Sequence, residues 1–219
     1  MSKILVEICT DNLADSLLAI SLGADRVELC SDLANDGLTP SVELFENLSS
    51  GGCLIFPMIR CRAGDFVYTE LEKLCMLQQA KEFIQRGAPG IVIGALTSDG
   101  FVDIEFVKRV WSITHPCSVS LTFHKAIDVF GDKFRENCSL LRPYVDRILT
   151  SGGVVGNASE EGIRWLVSQG KPIALASGKI RPGNVNELIA RTGVMEVHSR
   201  DPHVCTQVHA RERSECEEK

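Results

Sequence analysis

The chain has 219 residues, 44% hydrophobic and 24% charged, which are ordinary globular proportions that exclude intrinsic disorder. No apolar run approaches the roughly 20 residues a bilayer crossing requires, so no membrane partner is expected. A net charge of −6, with no concentrated basic surface, excludes nucleic acid as a partner.

The predicted elements alternate strictly. Residues 4–9 are β-branched and read as a strand, Thr10-Asp11 as a helix N-cap, and residues 14–22 as a helix stopped by Gly23. A second strand at 26–30 leads into a loop carrying Asn35-Asp36-Gly37, after which Pro40 opens a helix ending before Gly51-Gly52. Strands at 54–60 and 90–96 flank a polar loop, 61–66, and a long helix over 70–85. Asp103 caps a helix reaching Trp111, and a strand at 118–123 ends at His124-Lys125 before a helix over 133–141. The remaining strands are 146–150, 173–176 and 195–198, with helices over 159–168 and 182–191 between them.

Eight strands alternating with seven helices over about 200 residues predict a single-domain α/β protein, a closed TIM-type (β/α)8 barrel spanning residues 1–200. The eighth helix is left incomplete: residues 201–219 read as a charged tail, a solvated helix or frayed end.

Side chains alternate along a strand, so parity separates helix-facing from barrel-facing residues. Val6, Ile8, Val27, Leu29, Ile55, Ile59, Leu121, Phe123 and Val197 take one face. Glu7, Cys9, Arg26, Glu28, Cys30, Phe56, Met58, Arg60, Ser120, Thr122, His124, Glu196 and His198 take the other. The helices need the apolar set, so the polar set points inward. Three carboxylates cannot stay ionised and unpaired in a dry interior, so Arg60, with Arg26 or Lys125, must pair with them or their pKa values must rise. A structural ion cluster is one reading. The other is an active site, favoured because most of these groups sit at strand C-termini, where barrels of this type build their chemistry.

Two loops at the same end, Ser151-Gly152-Gly153 and Ser177-Gly178-Lys179, offer backbone N–H groups and a cation to a small anionic ligand, although tight turning explains their glycines equally well. Cys9 and Cys30 end adjacent strands about 4.8 Å apart. Their sulfurs can meet as a Cu(I) site or as two reduced thiols, and no fourth ligand for Zn²⁺ is evident nearby. The nine cysteines form no CxxC pair, and the N-terminus, with Glu7 inside a short apolar run, does not fit a signal peptide. Reduced thiols in the cytoplasm are therefore expected.

The segments Val6-Glu7-Ile8-Cys9, Gly23 through Cys30, Gly37-Leu38-Thr39-Pro40-Ser41, Met58-Ile59-Arg60, Gly64-Asp65-Phe66, Thr122 through Asp128 and Arg147 through Gly153 together resemble the CutC family. The resemblance implies a cytosolic TIM-type barrel, often a homo-oligomer, concerned with copper homeostasis. It implies Cys9 and Cys30 as Cu(I) ligands, with Glu7, Glu28, Arg60, Asp65, His124 and Asp128 as the polar pocket. The sequence departs from the family's usual pattern at Cys61-Arg62-Ala63, at Lys125-Ala126-Ile127 and at Ser177-Gly178-Lys179. Two functions follow. One is a protein that holds a copper ion through strand-end thiolates. The alternative is an enzyme acting on a small phosphate- or carboxylate-bearing molecule, with Glu7 or Glu28 as base, His124 as acid or base and Arg60 on the anion.

Overall fold

The computed structural model describes residues 3–217, with side chains to residue 211. Eight parallel strands, β1 (Leu5–Thr10), β2 (Arg26–Leu29), β3 (Leu54–Pro57), β4 (Gly90–Ile93), β5 (Ser120–Phe123), β6 (Arg147–Thr150), β7 (Ile173–Ala176) and β8 (Glu196–Ser199), alternate with eight helices. The helices are α1 (Leu13–Ser21), α2 (Val42–Ser49), α3 (Glu70–Gln85), α4 (Ile104–Thr114), α5 (Phe134–Leu141), α6 (Glu160–Ser168), α7 (Val185–Thr192) and α8 (His203–Glu217). The sheet runs β3-β2-β1-β8-β7-β6-β5-β4. The ring closes beyond the end of β3, where a parallel bridge joins Met58 to Val92 and the Ile59 N–H reaches the Val92 carbonyl at 2.8 Å.

The expected parity holds. Val6, Ile8, Val27, Leu29, Ile55, Ile59, Leu121, Phe123 and Val197 lie in the large apolar layer between sheet and helices, while Cys9, Cys30, Phe56, Met58 and Val92 form a separate buried group within the ring. Each fully buried aliphatic side chain of the outer layer contributes about 1.5–3 kcal/mol. That layer fixes the strand register and so determines which residues face inward.

Three helix starts differ from the sequence expectation. The cap of α1 is Asn12 rather than Thr10 or Asp11, its side chain accepting the Asp15 N–H at 2.9 Å. Pro40 stays outside α2: the Ser41 hydroxyl accepts from Leu44 N–H as the cap, and the helix begins at Val42, two residues later than expected. Pro182 likewise precedes α7, where the Asn184 side chain accepts the Arg181 N–H in a turn before the helix. The stretch after Asp201, expected as a charged tail, enters α8. Its Val204, Cys205 and Val208 are buried, so its first turns complete the outer layer rather than fraying into solvent. Side chains from residue 212 onward, where most of the tail's charge lies, fall outside those described.

Candidate functional site

The barrel interior is built in tiers. At the lower tier Arg26, 1% exposed, donates from Nε to Glu7 and from Nη2 to Glu196 at 2.7 Å, and stacks on the Phe56 ring at 5.0 Å. Arg147 donates to the same Glu196 oxygen at 3.1 Å and to Ser120 Oγ at 2.6 Å. Burial alone would raise the Glu7 carboxyl, but Arg26 and His198 outweigh it and hold it down at about 2. Glu7 is thus a permanent anion locked in an ion network, and it is not among the residues lining the cavity above. Arg26 carries the pairing expected partly of Arg60 and Lys125. Lys125 instead reaches Asp36 at 2.7 Å.

Above this tier His198 connects the network to the thiols. Its Nδ1 lies 2.7 Å from Glu7 Oε1 and its Nε2 lies 3.8 Å from Glu28 Oε2. Burial alone would lower the His198 pKa, yet Cys9, Glu28 and Glu7 together push it up to about 10, so the ring is an imidazolium at neutral pH. Burial raises the Glu28 carboxyl, and its Oε1 is buried without a hydrogen-bond partner.

Cys9 and Cys30 meet as the strand ends predict, Sγ to Sγ 3.6 Å. The hydrogen bond with Cys30, then burial, raises the Cys9 thiol. For Cys30 the bond with Cys9 pulls the other way, but burial and Glu28 outweigh it. Both are therefore protonated thiols until something displaces the protons. The ligand atoms of Cys9, Glu28 and Cys30 all lie within 4.8 Å of one another, as do those of Glu7, Glu28 and His198.

A cavity of about 480 Å³ opens from Cys9, Glu28, Met58 and His198 to the C-terminal mouth of the barrel. Arg60, His124, Asp128, Ser151, Ser177, Gly178 and Lys179 line it. Arg60 does not extend a free fork. Its Nη1 donates to the carbonyls of Asn35 and Gly37 at 2.9 and 3.1 Å and its Nη2 to Gly64 at 2.8 Å, leaving Nε buried without a partner. His124 fits only because its neighbour is Gly94, where a β-carbon would stand 2.0 Å from the ring. Its Nδ1 accepts the Ala126 N–H at 3.2 Å, which leaves the proton on Nε2, a buried donor with no partner. Burial, then Arg60 and Lys125, depress its pKa to about 3, so it is a neutral hydrogen-bond donor rather than an imidazolium acid.

The glycine loop after β6 is already occupied. The Asp128 carboxylate accepts the N–H groups of Ser151 and Gly153 at 2.7 and 2.8 Å and the Thr150 hydroxyl, while Gly152 N–H goes to Thr150 Oγ1 at 2.8 Å. None of the three amides is free for an outside anion. After β7 the Ser177 N–H is in the strand ladder, at 2.8 Å from the Thr150 carbonyl. Lys179 and Arg181 reach the cavity without an acidic partner among the described residues. Asp65 lies elsewhere, its side chain 70% exposed and paired with Arg62 at 3.0 Å. His198 and Met58, placed on inward faces by parity, join the site without having been singled out for it. Their signal was their position next to Glu196 and Arg60 on the same inward faces.

Residues 4–202 match the model of the CutC family. Family protein CutC of Caulobacter vibrioides is 35% identical over 199 residues, covering 90% of this chain and 80% of its own. That of Vibrio vulnificus is 37% identical over 199 residues, covering 88% and 79%. Among solved structures, CutC of Streptococcus agalactiae superposes with a TM-score of 0.82 at 28% identity, covering 91% of this chain and 99% of that one. Deoxyribose phosphate aldolase of Aeropyrum pernix superposes at 0.68 with 14% identity, covering 97% and 90%, a likeness of fold alone.

Proposed function

We propose that this chain, which belongs to the CutC family, serves copper homeostasis by binding Cu(I) through the thiolates of Cys9 and Cys30. The observation that carries this reading is the pair of buried sulfurs 3.6 Å apart, one of which, Cys9, lines the cavity that reaches the barrel mouth. The donor set suits the ion: thiolates are soft ligands that select Cu(I) over hard cations. The Streptococcus agalactiae neighbour carries a copper-homeostasis name, which supports the same assignment. Binding has to displace two protons from thiols that are neutral at rest, Cys9 through its hydrogen bond with Cys30 and then burial, Cys30 through burial and Glu28, so uptake releases acid and strengthens with pH. The His198 imidazolium beside Cys9 offsets the net negative charge of a bis-thiolate Cu(I) centre. The reading places the protein in the cytoplasm, where thiols stay reduced, and keeps a homo-oligomer as its assembly. Titration of the reduced protein with Cu(I) against a competing chelator tests it. Tight binding should disappear in the Cys9→Ser, Cys30→Ser double variant, and an unchanged affinity there would refute the assignment.

A second reading is favoured by two specific features on the same cavity, the His124 Nε2–H, which has no partner among the described residues, and the cations Lys179 and Arg181, which have no acidic partner among them. These suit a small carboxylate- or phosphate-bearing molecule, as in an enzyme. His124 would then act as a neutral hydrogen-bond donor and Glu28, whose pKa is raised, as the base. A thermal-shift screen of such metabolites on wild type and His124→Ala checks it. Stabilisation by none of them would remove its support.

A further inference from the structure

Resting on the Cu(I) reading above, we propose that the Met58 thioether is a third ligand, so that the copper centre is a three-sulfur site of Cys9, Cys30 and Met58. The first ground is the spacing of the thiols. With a metal–sulfur bond of about 2.3 Å, the zinc–thiolate value, a linear pair would hold its sulfurs roughly 4.6 Å apart. At 3.6 Å the pair is already set for a bent unit, which leaves a coordination position open.

The second ground is where Met58 stands. It is 5% exposed and belongs with Cys9 and Cys30 to the one buried apolar group inside the ring. A β-carbon on Gly37 would lie 3.2 Å from Cys30 Sγ and 3.3 Å from Met58 Sδ, which bounds the separation of those two sulfurs by the sum of the two contacts. Both sulfurs thus press on the same bare backbone position. The loop that carries it is held in place by Arg60, through the carbonyls of Asn35 and Gly37. Arg60 and Gly37 are therefore positioning residues: one fixes the loop over the sulfurs and the other leaves the room between them.

The third ground is the nature of the rivals. Glu28 is close enough but offers a hard carboxylate oxygen, which Cu(I) disfavours. The His198 ring is engaged by Glu7 at Nδ1 and faces Glu28 with Nε2. A thioether is soft and uncharged, and methionine's three rotatable bonds let its sulfur move to the metal while the chain stays packed.

The test uses the full chain labelled with selenomethionine, reduced and loaded with Cu(I), and reads X-ray absorption at the copper edge. The expected result is two sulfur scatterers and one selenium scatterer, with the selenium signal lost in Met58→Leu. That substitution roughly conserves volume and should leave the fold intact. Competition titration of the same variant should show affinity weakened at least about tenfold with the thiol pair still in place. A two-sulfur centre without selenium, or a Met58→Leu protein that binds as tightly as wild type, would overturn the third ligand while leaving the thiol site standing. If wild type binds no Cu(I), or binds it indifferently to Cys9→Ser with Cys30→Ser, both readings fall together.

Discussion

Replacing Arg26 with Met should be among the most damaging single changes in the barrel interior. The guanidinium is 1% exposed and donates to two carboxylates, Glu7 and Glu196, of which Glu7 is wholly buried. Met fills most of the space over Phe56, so the loss is electrostatic rather than a cavity. Breaking a buried pair by removing one partner costs about 3–5 kcal/mol, because the other charge stays behind unpaired. His198 still faces Glu7 and Arg147 still faces Glu196, which places the expectation toward the lower half of that range. In a chain of this length each kcal/mol moves the melting temperature by about 2–4 °C, so a fall of roughly 6–16 °C is expected. Urea denaturation followed by the fluorescence of Trp111 and Trp165 would give the free energy directly, as a lower midpoint at unchanged slope. Adding Glu7→Gln to Arg26→Met removes the stranded anion and should recover at least about 1 kcal/mol. A loss below about 1 kcal/mol for the single variant, or no recovery in the double, would show that the lower tier is not held by this pairing.

The pH dependence of stability should be two-sided. Glu7 is held at about 2, below the ordinary 4.5, so its contribution is complete above that ordinary value and disappears as pH falls toward 2. His198 is raised to about 10 from 6.5, so its contribution is complete below 6.5 and is lost as pH rises through 10. Melting temperatures should be level between about pH 4.5 and 6.5 and fall on both sides, and no fall between pH 6.5 and 10 would contradict the His198 pairing. Asp128→Asn keeps the shape but turns one carboxylate oxygen into a donor facing N–H groups. A loss of about 1–3 kcal/mol is expected by denaturation, and none would mean that the β6 loop does not depend on it. Gly37→Ala forces a side chain at φ +86° against both sulfurs. It should destabilise by at least about 1 kcal/mol and weaken Cu(I) binding, whereas Gly52→Ala, with the same sign of φ but open space around it, should leave binding unchanged.

The architecture was legible because it is written in period. Alternation in Val6-Glu7-Ile8-Cys9 and Arg26-Val27-Glu28-Leu29-Cys30 assigns faces without any knowledge of neighbours, and the structure keeps every one of those assignments. The meeting of Cys9 with Cys30 followed from the same logic, since both end adjacent parallel strands. Pairing inside the ring was only partly legible, because it depends on height along the barrel axis as well as on the face. Arg26 sits level with Glu7 and Glu196, whereas Arg60 lies beyond the end of its strand, among carbonyls of two loops. Asp65, inside the polar loop 61–66, carries no parity at all once the strand has ended, and it turns out into solvent. The first turns of α8 were missed because Val204, Cys205 and Val208 are too few among polar neighbours to mark a face, although they suffice to cover the sheet beside β1.

The loop after β6 has a bearing on what the molecule can admit. Many barrels of this shape keep amides at strands seven and eight in reserve to catch a phosphoryl group. Here the neighbouring turn carries its own resident counter-anion on a short tether from strand five. A dianion reaching that loop would be met by a carboxylate that already holds the Ser151 and Gly153 amides. A guest bearing phosphate or carboxylate would meet instead the cations on this cavity that have no acidic partner among the described residues, Lys179 and Arg181.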